Sequence, residues 1–457
     1  MADKAVSLRG EQTVLFTNRQ LVALMWPLLL EQFLAITVGL ADSLMVATVG
    51  DAAISAVSLV DSISNLMIYI FSAMATGGAA VAGQYIGQRQ KEDACHAGQQ
   101  LIALLAAVSV FFVALLYLFR AQVLTVMFGH IEPDVMAATN TYYLYVMASI
   151  PGIALYNGGA ALWRTMGRSD ISLKVSLLMN GINVAGNAIL IFGFGMDVAG
   201  VAIPTLVSRT VAAAVILGML FNDKLTLHLS NVRAFRLDMR LMKNIFYIGV
   251  PSGVENGMFH LGRLVLFSLI STFGTAAMVA NAIGNTIANF NCFSGSAINL
   301  GLAAVVSQCV GAGEFDQARA YMKKIVKWTY GIMAVVNLGI MALLPLIMRV
   351  YNVSPEAEKL AVTVSLIHGI SSIFLWIPAF TIPSFLRAAG DAQFTMLASM
   401  TTMWLVRVLL AYVLGRYLGY GVVGVWFAHA ILDWLVRGAV FILRYRSGKW
   451  ESMGIKT

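Results

Sequence analysis

Residues 27–42 read PLLLEQFLAITVGLAD, an apolar run that carries two carboxyls, Glu31 and Asp42. A charge at the centre of a bilayer costs about 2.5–3.5 kcal/mol on insertion scales, so an acid at that depth has either a task or a partner. Low dielectric penalises a carboxylate unless a cation or a donor compensates, which makes Asp42 a candidate proton or cation switch. The alternative is an aspartate that hydrogen-bonds two helices together. Downstream, LLMNGINVAGNAILIFGFG (177–195) places Asn183 and Asn187 four apart on one helical face, with Asn180 one turn earlier. Amide oxygens at that spacing can complete a shell around the same ion, with Na⁺ at Asp42, Asn183 and Asn187; amide bonding between helices is the other reading. Glu255 follows Pro251. A helical proline frees a backbone carbonyl, and carbonyls beside a carboxylate make a cation or cationic-substrate site.

Further polar groups interrupt other apolar runs. Glu31 can contact substrate or a neighbouring helix. Asp61 has Asn65 one turn below it, and Asn281, Asn285 and Asn289 form a four-residue stripe. Such a stripe lines either water or a helix interface. Arg407, Asp433 and Arg437 read as a buried charge cluster, and His260 and His368 as locally satisfied histidines.

The elements that must position these groups follow from composition. The chain has 457 residues, 59% hydrophobic and 11% charged, with a mean hydropathy of +0.80. Soluble domains carry about 25% charged residues, so the composition indicates an all-α polytopic membrane protein. Apolar runs of spanning length fall near 20–46, 54–83, 98–118, 138–162, 172–193, 199–221, 241–272, 277–309, 322–348, 360–386, 394–416 and 422–444. That is about twelve transmembrane helices. The net charge of +8 collects in alternate connections. One set holds Lys4, Arg9 and Arg19, then Arg89 and Lys91, Arg164 and Lys174, Arg233 and Arg240, Lys323 and Lys327, Arg387, and finally Arg444 and Lys456. The other set has little beyond Arg120, Arg349, Lys359 and Arg416. By the positive-inside rule both termini are cytoplasmic and the basicity signals topology, with no nucleic-acid partner. The first apolar run is too long for a signal peptide and reads as an uncleaved helix. Cys95, Cys292 and Cys309 show no metal or disulfide spacing.

An internal repeat organises the chain. Pro27 and Pro251, Glu31 and Glu255, Gly50 and Gly274, Asn65 and Asn289, and Gln84 and Gln308 all stand 224 apart, and Arg164 and Arg387 stand 223 apart. Two six-helix lobes related by a pseudo-two-fold axis follow, residues 1–221 and 241–457, joined by a basic linker at 222–240. Small residues recur at matching places, SAMATGGAAVAG (72–83) and SGSAINLGLAA (294–304), where helices can pack closely or slide.

The strings ADSLMVATVGDAA (41–53), GVPSGVEN (249–256), FGTAAMVANAIGN (273–285), GQYIGQRQKEDA (83–94), VGAGEFDQA (310–318), LWRTMGRSD (162–170) and FLRAAGDAQ (385–393) together resemble the multidrug and toxic compound extrusion (MATE) family, bacterial type. The likeness runs from about residue 20 to 445. It implies two V-shaped lobes and export of cationic or amphipathic organic compounds against inward flow of H⁺ or Na⁺. Asp42 matches the family's N-lobe aspartate in a D-x3-V pattern, and Glu255 its C-lobe glutamate. Asn183 and Asn187 are similar to asparagines of the NorM-like branch; the DinF-like branch tends to have aspartate at the second position. The NorM-like pattern also has an aspartate in the tenth helix, where IFLWIPAFTIPSF (373–385) offers Trp376 and no acid. A NorM-type C-lobe sodium site is therefore not expected, and Glu255 is expected to act alone, by protonation or by pairing with a cationic drug. Glu31, Glu255, Asp61, Asn285, Asn289 and Trp376 are the candidate substrate contacts.

Other classes are weighed by what the chain lacks. It has no HExxH, GxSxG or GxxxxGK[ST] motif, so neither a hydrolytic enzyme nor an ATP-driven pump is indicated, and no cofactor is expected beyond the coupling ion. A lipid or lipid-linked-precursor flippase of the same two-lobe design is the nearer rival, a channel the more distant one. Twenty-four Met and 24 Phe supply adaptable apolar surface for small organic cations, amphipathic drugs and membrane lipids. The working unit is expected to be a monomer in the cell membrane.

Overall fold

A computed structural model of the chain describes residues 14–129, 132–229 and 236–455. Lys4, Arg9, Arg233 and Lys456, and residues 230–235 of the linker expected at 222–240, lie outside the described residues. In hydrocarbon every backbone N–H and C=O must be satisfied within its own segment, so apolar runs of this length fold as helices. The regular elements of the described residues are all helices, with no strand among them.

The helices are α1 (Asn18–Ala47), α2 (Asp51–Gly87), α3 (Lys91–Leu118), α4 (Arg120–Phe128), α5 (Pro133–Thr165), α6 (Ser169–Ala188), α7 (Ala199–Gly218), α8 (Met239–Ser271), α9 (Thr275–Gly311), α10 (Phe315–Tyr351), α11 (Pro355–Phe374), α12 (Ile382–Ala388), α13 (Ala392–Thr402), α14 (Leu409–Tyr412), α15 (Gly421–Phe427) and α16 (Trp434–Arg446). Several of these are pieces of one span. A π-helical turn at Ile377–Thr381 links α11 toward α12, and others at Met403–Val408 and Val413–Tyr417 flank α14. Another at Ala428–Asp433 joins α15 to α16. Pro378 lies within the first of these turns. It has no N–H to donate, which loosens the regular ladder there.

Ten helical runs among the described residues are long and apolar enough to cross a membrane. Helices α5 and α8, 33 residues each, complete twelve spans. Each is interrupted by a proline, Pro151 in α5 and Pro251 in α8, and carries polar residues that dilute its apolar run. Most of the helices overrun the expected apolar runs at one or both ends, because their first and last turns are polar.

The repeat is written in the backbone. Helices α2 and α9 are both 37 residues long and start 224 residues apart, at Asp51 and Thr275. The glycines before them, Gly50 and Gly274, both hold positive φ, 135° and 94°. After them, Arg89 at φ 62° stands where the second repeat has Gly313 at φ 73°.

The described chain divides into two compact units, Phe33–Gly253 and Met1–Gln32 with Val254–Thr457. This differs from the boundary expected at 222–240, because the cuts fall inside α1 and α8. In the first unit the early half of α8 packs on α2. Gly77 approaches so closely that a methyl group there would meet Gly249 Cα at 3.0 Å, and one on Gly78 would collide with Leu101 and Ile245. In the second unit the early half of α1 packs on α9: Leu21, Leu24 and Met25 are buried with Ile298, Leu302 and Phe385. A methyl on Gly301 would meet Met25 Sδ at 2.5 Å. Positions 77 and 301 are repeat equivalents, as are 249 and 25. The small-residue stretches are therefore docking strips for the exchanged half-helices.

The two contacts differ in what must yield. Gly77→Ala pushes against backbone and is expected to cost about 1–3 kcal/mol. Gly301→Ala pushes against the far end of a flexible methionine and is expected to cost less. Thermal unfolding of both variants in detergent checks this ranking, which equal midpoints would overturn.

Candidate functional site

Within the first unit, five helices, α1, α2, α5, α6 and α7, bring their polar side chains together. Late in α1, Asp42 accepts from Asn187 Nδ2 at 2.9 Å. With its amide turned so that both ends are satisfied, Asn183 donates to both Asp42 oxygens at 3.0 Å and accepts from Thr205 Oγ1 at 3.2 Å. Asn183 and Asn187 are one helical turn apart on α6 and both are buried. Asp61 on α2 accepts from the Tyr142 hydroxyl at 3.2 Å. Arg209 on α7 donates to Ser149 Oγ at 2.8 Å and acts electrostatically on Asp42, Asp61 and Tyr142. The cluster holds two carboxyls and one guanidinium, a formal excess of one negative charge when both acids are ionised.

The amides do not sit as the spacing suggested. Nitrogens, not oxygens, face the carboxylate, because an ionised aspartate accepts only. Asn180 stands apart, half-buried and without a hydrogen bond to the pair. Asn187 Oδ1 is buried and has no hydrogen-bond partner among the described residues. Leaving an acceptor in that condition costs about 1–3 kcal/mol. Rotating this amide would aim its oxygen at whatever binds beside Asp42, a proton on the carboxyl or a cation. The available donors are all oxygens, from Asp42, Asn183, Asn187 and Thr205, a set suited to a hard cation.

Sequence reasoning passed over Arg209, Tyr142 and Thr205. Arg209 had left a signal, a single cation inside the apolar run 199–221. Tyr142 and Thr205 had left none, since such residues are common in spans and only the helix rotation turns them toward the acids.

In the second unit Glu255 is not alone, contrary to expectation. Arg387 Nη1 bridges both its oxygens at 3.1 Å, and Ser399 donates to it at 2.7 Å. Arg387, read as a topological charge, is drawn inward to meet it. Trp376, expected as a substrate contact, is core: 4% exposed, it stacks on Phe380 with ring centroids 5.3 Å apart and fills the notch at Gly295. The asparagine stripe does not act as one. Asn281 accepts from Trp426 Nε1 at 3.1 Å, Asn285 bonds its own helix at Asn281 O, and Asn289 is exposed, as is Asn65. Glu31 is buried and engaged. His368 is satisfied by Asn291 at 3.1 Å and Ser372 at 3.3 Å.

Asp433 is held by two arginines, Arg407 at 2.6 Å and Arg437 at 3.2 Å, all nearly inaccessible. Arg437 also donates to Thr402. This matches the buried cluster read from the sequence. Among the described residues no three His, Cys, Asp or Glu side chains converge as a metal site.

An all-helical polytopic protein built from two copies of one six-span pattern, with carboxyls buried among amides, has the architecture of a secondary transporter. The MatE family model matches residues 27–189 and again 251–413. The chain belongs to this family, the multidrug and toxic compound extrusion transporters, and the double match falls on the internal repeat. It is 29% identical over 442 residues to the uncharacterized transporter YisQ of Bacillus subtilis, covering 95% of each chain. It is 24% identical over 454 residues to the probable multidrug resistance protein NorM of Thermotoga maritima, covering 96% of this chain and 94% of that one. An outward-facing multidrug resistance MATE transporter shares the fold, with TM-score 0.88 at 19% identity over 96% of this chain and 97% of that one.

The two charged clusters answer mutation differently. Asp433→Asn strands two buried guanidinium groups, which is expected to cost about 3–5 kcal/mol and to lower the yield of monodisperse protein. Replacing Asp433, Arg407 and Arg437 together by apolar residues is expected to recover much of that loss. Size-exclusion profiles and thermal midpoints of the single and triple variants check both outcomes.

Proposed function

We propose that the protein is a cation-coupled exporter of cationic or amphipathic organic compounds, working by alternating access in the cell membrane as a monomer with both termini cytoplasmic. The observation that carries the coupling is Asp42 gripped by amide nitrogens beside the orphaned Asn187 Oδ1. In the unloaded state Asp42, Asp61 and Arg209 sum to one negative charge. Either a coupling ion or a cationic compound neutralises it, and each excludes the other. That exclusion is the physical content of antiport: the site cannot become neutral with both aboard or with neither.

Loading by H⁺ turns one carboxyl oxygen of Asp42 into a donor, and Asn187 Oδ1 is the acceptor at hand once its amide rotates. Loading by Na⁺ uses the same rotation and the same oxygen, with Thr205 and Asn183 completing the shell. Neutralisation lowers the cost of enclosing the site in low dielectric, which favours the return step. The relatives described as probable multidrug resistance and multidrug export proteins support drug-like cargo.

A charge moved through 100 mV supplies about 2.3 kcal/mol, or roughly fifty-fold in concentration ratio. In proteoliposomes with pH and Na⁺ gradients imposed separately, the wild-type protein is expected to accumulate a cationic dye under one of them. Asp42→Asn is expected to insert normally and bring the dye ratio close to one. Full gradient-driven transport by this variant would exclude Asp42 as the coupling site.

A further inference from the structure

The second unit reverses the polarity of the first. Phe259 on α8 lies under two guanidinium groups, Arg437 at 4.3 Å and Arg407 at 5.3 Å from its ring centroid. One turn further along the same helix stands Arg263, which places a third arginine beside the cluster. Only Asp433 is bonded into this group, since Glu255 is committed to Arg387. Three cations thus stand beside one bonded carboxylate, while Glu255, paired with Arg387, acts on Arg437 from a distance. Repeat positions mark the inversion, for Arg209 and Asp433 stand 224 residues apart, as do Gly39 and Arg263.

Two members of the group have no ion-pair or hydrogen-bond partner among the described residues. Arg263 is exposed and makes no ion pair or hydrogen bond among the described residues, although it lies about 12 Å along the helix from Ser271. His429 is half-buried, and its ring nitrogens also lack a hydrogen-bond partner among the described residues. It touches Trp426, Trp434 and His368 through ring contacts only, and it feels Arg263, Arg407 and Arg437 electrostatically. Both Arg407 and His429 sit in π-helical turns, which swing side chains off the regular helical rows and recur at functional sites. An unpaired arginine in an apolar span is costly and in need of a counter-charge.

We propose that this cluster binds an oxyanion, a carboxylate, sulfonate or phosphate carried by an amphipathic molecule, with Arg263 and His429 as the ligand-facing groups. Arg407 and Arg437, pinned by Asp433, supply the fixed positive field. A guanidinium matches the two oxygens of such a group, and half-buried Phe259 offers apolar surface for the attached body. The proposal deepens the exporter reading by adding acidic or zwitterionic amphipaths to its cargo, and it rests on that reading only for the word cargo. Binding itself stands apart from transport.

The test is equilibrium binding to the purified full-length protein in phosphatidylcholine nanodiscs, with no gradient. The probes are fluorescein, an anionic dye, and a cationic rhodamine of the same ring skeleton. Fluorescein is expected to bind, and Arg263→Gln to weaken it about tenfold or more while rhodamine affinity is unchanged. Arg263→Lys is expected to recover part of the loss. The thermal midpoint of Arg263→Gln should match wild type, because the side chain has no ion pair or hydrogen bond among the described residues to lose. Adding phosphatidylglycerol to the nanodiscs distinguishes the sources: Arg263-dependent displacement of fluorescein would mean that a lipid phosphate fills the same oxyanion site. No fluorescein binding by the wild type, or equal binding by Arg263→Gln, would overturn the proposal. Loss of fluorescein binding with intact cation export would leave the coupling at Asp42 untouched, so the two readings fail separately.

Discussion

The structure turns on the cost of charge in low dielectric. Helices satisfy their own backbones, but a carboxylate or guanidinium placed in a span must find a partner, a ligand or water. Asp42 is answered by two amides, Asp61 by Tyr142, Glu255 by Arg387 and Ser399, and Asp433 by two arginines. What distinguishes these sites is the remainder. Around Asp433 the carboxylate is saturated and holds Arg407 and Arg437 in place. Around Asp42 a buried amide oxygen is left over, and a leftover acceptor beside an acid can be satisfied by a proton or a cation.

The repeat supplies two equivalent frames, and divergence has filled them with opposite charge. The first unit gathers two acids and one arginine; the second gathers arginines around one aspartate. A chain that needed only stability would gain little from either arrangement, since well-packed apolar groups replace buried ion pairs at no loss in many proteins. Retaining both fits a molecule that handles charge of either sign, with each unit selecting by the sign of its excess. The exchanged halves of α1 and α8 bear on the same theme. Each helix carries an acid beyond its cut, Glu255 directly after it in α8 and Asp42 about 15 Å further along α1.

Much of this was legible without coordinates. The spans could be read because hydrocarbon thickness demands runs of a certain length, and the repeat because Pro27 and Pro251, Glu31 and Glu255, and Gly50 and Gly274 kept one separation through sequence drift. Asp42, Asn183 and Asn187 were found together because an acid and two amides a turn apart are conspicuous against apolar neighbours. Arg387 was misread as a loop charge because nothing local reveals that a side chain near a span's end reaches back to Glu255. Trp376 was misassigned because identity at a motif position says nothing about which way the indole turns, and Gly295 across the interface offered it a notch.

The amino-acid sequence by itself determined the number of spans, the duplication and the presence of acids where acids are expensive, since each depends on composition and spacing along one chain. The tertiary structure alone decided which charge meets which. Partners such as Asp42 and Asn187, or Glu255 and Arg387, lie more than a hundred residues apart, and each residue along a helix turns the side chain by about 100°. Those rotations, and the π turns that reset them, come from packing against neighbours. The sign of the charge left over in each unit is therefore a property of the folded bundle.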